Sequence, residues 1–143
     1  MEKVLRTKEL KVVIDDKAGL LAGIVSIIAD KGVNIENICV YTYNGKAAFH
    51  LLTADNKKAK KVLEAAGYTV QEIDVIVLSM WNRPGALADV AAKFKEKDIS
   101  IRYAYGTSTP AGQRTAIVFA SEDNDAASGF FRDMVLEEGE KSV

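Results

Sequence analysis

Cysteine occurs once in the 143 residues, as Cys39, and histidine once, as His50. One thiol excludes an intrachain disulfide and a thiolate metal cluster, and the C-x-x-C pair of a heavy-metal carrier is missing. No stretch approaches the roughly 20 apolar residues of a membrane-spanning helix. The opening Met1-Glu2-Lys3-Val4-Leu5-Arg6 lacks the apolar run of a signal peptide, so the expected compartment is the cytoplasm. An excess of positive charge is lacking too. With 19 Lys and Arg against 20 Asp and Glu, the net charge of −1 offers a polyanion such as nucleic acid no basic face. Paired nucleophile and histidine, a phosphate-cradling glycine loop and carboxylates at metal spacing are all missing. The expectation is a non-catalytic chain that needs no metal or cofactor.

What the chain does contain, it contains twice. Asp16-Lys17-Ala18-Gly19-Leu20-Leu21-Ala22 aligns with Asn82-Arg83-Pro84-Gly85-Ala86-Leu87-Ala88, 66 residues later. The apolar stripe Leu21, Ile24, Val25, Ile28 returns as Leu87, Val90, Ala91, Phe94 at the same offset. Further on the offset grows to 68, because Gly106–Gly112 is a longer turn than Asn44-Gly45. There Ala59, Val62, Leu63, Ala66 maps onto Ala127, Phe130, Phe131, Met134. Two helices repeating in register mark a duplication.

Each copy reads strand, helix, strand, strand, helix, strand. In the first, Leu10–Ile14 is a buried strand and Gly19–Lys31 a helix. Asn34–Tyr43 and Lys46–Thr53 form a hairpin about Asn44-Gly45, and Lys57–Ala66 is a helix stopped by Gly67. Tyr68–Gln71 closes the unit, and the next strand starts at Ile73 without a linker rich in Gly, Ser or Pro. The expected fold class is α+β: two ferredoxin-like βαββαβ repeats, each an antiparallel sheet with helices on one face. The expected boundaries are 8–72 and 73–136, with the second copy's fourth strand weak, missing or borrowed, and a loose acidic tail over 137–143.

The shared strand-to-helix turns carry the functional argument. A glycine in the first turn of a helix costs up to about 1 kcal/mol relative to Ala, yet Gly19 and Gly85 both sit there. Such a glycine suits close approach to the backbone, and a helix N-terminus suits a carboxylate. Asn34 and Ser100, at the starts of the second strands, are expected beside the turns, offering polar groups to an ammonium. Asp16 and Asn82 also read as N-caps, and Pro84 as a first-turn proline. His50 reads as a lone strand residue without a nearby carboxylate, Cys39 as a small buried hydrophobe, and Lys57, Lys58, Lys60 and Lys61 as a solvated face. Tyr41, Tyr43, Tyr103 and Tyr105 share strand parity, which suggests a covered sheet face in each repeat.

The turns Asp16-Lys17-Ala18-Gly19-Leu20-Leu21 and Asn82-Arg83-Pro84-Gly85-Ala86-Leu87, with Asn34-Ile35-Glu36-Asn37-Ile38 and Ser100-Ile101, resemble the D-x-P-G-x-L and N-I-x-x-I motifs of ACT domains. The first copy has Ala18 in place of Pro; the second has Asn82 for Asp and Ser100 for Asn. The resemblance implies a stand-alone sensor of a free amino acid that regulates a partner such as a target enzyme, and pairs edge to edge, as a homodimer. The implied ligand-binding residues are Asp16, Ala18, Gly19, Leu20, Asn34 and Ile35, and in the second copy Asn82, Pro84, Gly85, Ala86, Ser100 and Ile101. The first copy, with Asp16 and Asn34, is expected to be the stronger site. A rival reading is a ligand-free scaffold or the regulatory subunit of an amino-acid biosynthetic enzyme. RNA recognition fits poorly, since Lys46–Leu52 carries one aromatic and the matching first strand none.

Overall fold

Side-chain alternation builds the first element. In β1 (Lys3–Asp15), Leu10, Val12 and Ile14 share one face and pack in a core, while Lys11 and Val13 take the other parity. The computed structural model describes the backbone of residues 3–107 and 109–141, with side chains as far as 134. After β1 come α1 (Leu20–Asp30), β2 (Ile35–Tyr43), β3 (Lys46–Thr53), α2 (Asn56–Ala65) and β4 (Gln71–Trp81). Then follow α3 (Ala86–Glu96), β5 (Ile101–Gly106), β6 (Arg114–Ser121) and α4 (Asn124–Lys141). None of the described helices is long and apolar enough to cross a membrane.

The chain forms two units. The N-terminal unit, Lys8–Ile73, orders its strands β2–β3–β1, with antiparallel registers such as Leu10↔Leu51 and Cys39↔His50. Leu20, Ile24 and Ile28 of α1 and Ala59 and Leu63 of α2 close a core over Leu10, Val12, Phe49 and Leu51. The C-terminal unit begins at Asp74 and also takes in the chain's opening segment up to Thr7. Its strands run β4–β6–β5, with Lys3–Thr7 of β1 beside β4 and Val4 packed on its core. This is how the second copy acquires a fourth strand. Its core clusters four phenylalanines where the first is mainly aliphatic around Phe49: Phe94 lies 5.3–5.4 Å, centroid to centroid, from Phe119, Phe130 and Phe131.

Three expectations need correction. Leu21 and Leu87 are exposed, at 49% and 54%, and the buried ridge runs one residue earlier, through Leu20, Ile24, Ile28 and through Ala86, Val90, Phe94. Each helix starts directly after its glycine, and this sets the i, i+4, i+8 row that faces the sheet. Tyr68–Val70 is not a strand; Tyr68 and Val70 pack on the core as coil, and β4 runs unbroken from Gln71 to Trp81. The segment read as a tail from 137 continues α4 to Lys141, as its strong helix formers Glu137, Glu138 and Glu140 allow; residues 142–143 lie outside the described residues.

The duplication extends to details that the apolar pattern does not show. Asn56 Oδ1 accepts from the Thr53 amide and hydroxyl at 3.0 and 2.8 Å, and its Nδ2 donates to the Lys8 carbonyl at 2.7 Å. Asn124 does the same with Ser121 and Asp74, at 3.0, 2.8 and 2.9 Å. Asp55 and Asp123 cap the same helices, accepting from Lys58 and Ala126 amides at 3.0 Å. This [Ser/Thr]-x-Asp-Asn clamp ties the helix start to two strands.

The two first helices end alike but not at equal cost. Gly32 follows α1 at φ +71°, with Gly32 and Val33 amides donating back to Ala29 and Ile28. Asp98 follows α3 at φ +55°, its own amide and that of Ile99 donating to Lys95 and Phe94. Both are left-handed C-terminal turns, which glycine adopts freely and an L-residue with a Cβ does not. Asp98→Gly should therefore stabilise the chain by about 0.5–1 kcal/mol, read as a higher urea midpoint at unchanged slope, and Gly32→Asp should lower it by a similar amount.

Candidate functional site

Arg83-Pro84-Gly85-Ala86 is a type II turn: the Ala86 amide donates to the Arg83 carbonyl at 3.1 Å, and Gly85 has φ 87°, ψ −12°. Lys17-Ala18-Gly19-Leu20 matches it, with Gly19 at φ 89°, ψ −4°. The glycines answer to the sign of φ and not to crowding. A Cβ on Gly19 would meet nothing within 4 Å, and one on Gly85 only Arg83 Nη1 at 3.6 Å. A β-branched substitution here would strain the turn whatever bound beside it.

These glycines are themselves the N-caps, and neither helix receives a side-chain cap. Asp16 and Asn82 are therefore not capping residues. They fasten the turn to the neighbouring hairpin: the Asp16 amide donates to Gly45 O at 2.9 Å, the Asn82 amide to Gln113 O at 2.7 Å. In α3 the helical ladder opens with the Asp89 amide on Gly85 O at 3.0 Å. The Leu87 and Ala88 amides precede that bond, so they have no acceptor inside the helix and face outward at its positive end.

A cavity of about 270 Å³ opens at this point in the C-terminal unit. The turn lines it through Asn82, Arg83 and Gly85, the helix through Ala86, Leu87 and Ala88, and the β5–β6 loop through Thr107 and Thr109. Trp81, Met80, Thr115 and Ile117 complete it. Asn82 Nδ2 donates to Thr109 O at 2.7 Å, so the loop becomes a fixed wall. Arg83 Nη2 lies 2.9 Å from Asp89 Oδ2, both side chains half exposed, and such a surface pair is worth only about 0–1 kcal/mol. The guanidinium can leave Asp89 for another anion at little cost.

The equivalent end of the first copy has different chemistry. Asp15 and Lys46, paired across β1 and β3, form an exposed ion pair; the Lys46 hydrogen bond, then its charge, hold the Asp15 carboxyl below its ordinary pKa. At the same register of the second copy, Arg114 stacks over Trp81 with 5.1 Å between guanidinium and ring centroid. The cavity therefore lies in the copy expected to be the weaker site.

Not all the expected residues come together. Asn82, Gly85 and Ala86 line the cavity, whereas Pro84 holds the turn from outside its lining. Asp16, Ala18 and Gly19 form the corresponding turn of the first copy, where the Leu20 side chain is committed to the core. Asn34 and Ser100 are not beside the turns. Asn34 O accepts from the Ala54 amide, and Ser100 O accepts from the Glu122 amide while the Ser100 amide donates to Glu122 Oε1, so both sit at the ends of the hairpins away from Gly45 and Gln113. Within a unit that puts them on the order of 25 Å from the glycine, the length of β3. A helix antiparallel to the strand before it returns the chain to where that strand began, so Ile35 and Ile101 start the second strands at the far end.

His50 is not alone. Its Nδ1 lies 2.8 Å from Glu9 Oε1 and its Nε2 3.2 Å from the Tyr41 hydroxyl, with the rings stacked at 5.6 Å; His50 and Glu9 are fully buried. Strand pairing assembles this group from residues up to 41 positions apart. Cys39 is opposite His50, and burial, with Glu9 adding, pushes its thiol pKa up, away from a reactive thiolate. Among the described residues no group of three or more His, Cys, Asp or Glu is placed to hold a metal ion.

The model of the ACT domain pair matches residues 5–138. The chain belongs to the ACT domain family. Its fold is similar to that of a Bacteroides thetaiotaomicron protein at 23% identity and TM-score 0.81, over 96% of this chain and 90% of that one. The regulatory subunit of aspartate kinase from Thermus thermophilus shares the fold at 16% identity and TM-score 0.57, over 87% and 91%. Structures of aspartokinase α and β subunits do so at 15% and 0.57, over 81% and 85%. No curated protein sequence matches.

In this ACT pair the two turns have one geometry, but only the second has proline before the glycine. Ala18 is absent from the residues of positive φ, so Ala18→Pro should fit the first turn and raise the stability by about 0.4–1 kcal/mol through the unfolded state, seen as a higher melting temperature.

Proposed function

We propose that the chain is a non-catalytic regulator that binds one free α-amino acid in the cavity of its C-terminal unit. The observation that carries this reading is the pairing of outward amides at Leu87 and Ala88 with the Arg83 guanidinium at one cavity. A ligand carboxylate is held by the amides and the helix end, with Arg83 released from Asp89 to join them. Asn82 Oδ1 supplies an acceptor for the ammonium, its Nδ2 being occupied by Thr109 O. Trp81, Leu87 and Ile117 give the ligand's side chain an apolar surround, and about 270 Å³ suits a small molecule. Family membership supports a regulatory use, as does the sharing of this fold with an aspartate kinase regulatory subunit.

A second surface favours self-association. β2 is the outer strand of its unit, and Ile35–Tyr43 contains no Lys, Arg or Pro to blunt the edge. Ile38, Val40, Tyr41 and Tyr43 are all exposed along it.

Trp81 is the only tryptophan and lines the cavity, so its emission should report binding. One or more of the twenty amino acids should change that emission and raise the melting temperature; a ligand at 100 times its Kd adds about 2.7 kcal/mol. Ala88→Leu fills the cavity at only a small cost in helix propensity and should abolish both signals, while Lys60→Ala on the lysine face of α2 leaves them intact. Silence with every amino acid at millimolar concentration would overturn the reading. For the edge, wild type should sediment as a dimer at micromolar concentration and Ile38→Lys/Val40→Lys as a monomer; a wild type that stays monomeric throughout refutes edge pairing.

A further inference from the structure

The loop that walls the cavity belongs to the second copy alone, since Gly106–Gly112 stands where the first copy has Asn44-Gly45. It is firmly held. Asn82 Nδ2 binds Thr109 O at 2.7 Å, the Gly112 amide binds Asn82 O at 2.7 Å, and Thr115 Oγ1 donates to Thr107 O at 2.6 Å. Within this anchored loop Thr109 Oγ1 is buried and has no hydrogen-bond partner, alone among the buried side-chain polar atoms of the described residues. The hydroxyls of Thr53, Thr115, Ser121 and Ser128 are all satisfied. A buried hydroxyl left unpaired in an otherwise well-bonded chain is the kind of local violation found at functional sites.

Thr109 lines the cavity, its hydroxyl buried in the wall beside the space where a ligand side chain would lie, and threonine's staggered χ1 wells give that hydroxyl other directions in which to find a partner. Neither Asp nor Glu lines that space, and its one cationic side chain is Arg83. A basic side chain on the ligand finds no counter-charge there. An acidic one competes with the ligand's own carboxylate for Arg83. What remains is a neutral side chain, apolar where it meets Trp81, Leu87 and Ile117 and hydrogen bonding where it meets Thr109.

Resting on the amino-acid reading above, we propose that Thr109 is the specificity-determining residue of this site. It selects small α-amino acids whose side chains carry a hydroxyl or a carboxamide over aliphatic amino acids of similar size. A polar side chain satisfies the Thr109 hydroxyl, whereas an aliphatic one leaves it unpaired in the bound state, and sites built on such bonds discriminate strongly.

The test is a set of matched titrations followed by Trp81 emission: serine against alanine, threonine against valine, asparagine against leucine. Wild type should bind the polar member of at least one pair tenfold or more tightly. Thr109→Val, nearly isosteric, should collapse that ratio toward one and raise the melting temperature of the ligand-free protein, while Thr109→Ser should keep the ratio. Thr109→Ala serves as the second variant should valine disturb the loop, with the same loss of preference expected. Amino-acid binding with no polar preference, or a preference untouched by valine and alanine at this position, would overturn the proposal and leave the amino-acid reading standing. If no amino acid binds wild type at all, both fall together.

Discussion

Between each first strand and its helix one residue must stand at φ near +90°, and Gly19 and Gly85 meet that demand at 89° and 87°. Glycine at the cap brings no side chain, so the helix goes without the side-chain bond that commonly adds about 1 kcal/mol. The glycine also gives up more chain entropy on folding, roughly 0.5–1 kcal/mol relative to Ala. Burial repays both: Leu20, Ile24 and Ile28, each worth about 1.5–3 kcal/mol out of water, hold α1 against the sheet, and Val90 and Phe94 hold α3. The core thus secures the helices, and their first amides stay available at the surface. Everything proposed for the turn depends on that division of labour.

On this common frame the copies have diverged where packing leaves them free to do so. One cross-strand position is the ion pair Asp15–Lys46 in the first copy and the stacked pair Trp81–Arg114 in the second. One core position is Ile28 in the first and Phe94 in the second, at the centre of an aromatic cluster. One hairpin turns on Asn44-Gly45; the other carries a loop that reaches back to Asn82. The backbone bonds beneath these differences, from Asp16 to Gly45 and from Asn82 to Gln113, are the same.

Much of this is legible in the amino-acid sequence. Apolar spacing identified four helices, and the changed offset located the loop, because local periodicity and turn chemistry report local structure directly. The helix faces were misjudged by one residue at Leu21 and Leu87, since spacing leaves the phase of a stripe open until the helix start is fixed. Of the site, the sequence disclosed the glycine turns but misplaced Asn34 and Ser100, whose position depends on which way α1 and α3 run. The threonine wall was signalled only by the extra residues between the strands. An insertion in one member of a duplicated pair is a pointer to a site in its own right. The Glu9–His50–Tyr41 group gave no signal at all, because strand register, and not sequence proximity, brings it together.

The opening segment as far as Thr7 belongs to the unit that is synthesised last. During synthesis the N-terminal unit has all of its strands and helices once Ile73 emerges, while the segment from Lys3 must wait for β4 and the core that receives Val4. That wait gives the second half the longer-range contacts of the two and makes it the slower to close. It also means that the duplicated halves cannot be parted by a cut at residue 73. A fragment starting there would keep every residue of the second repeat and still lack a strand.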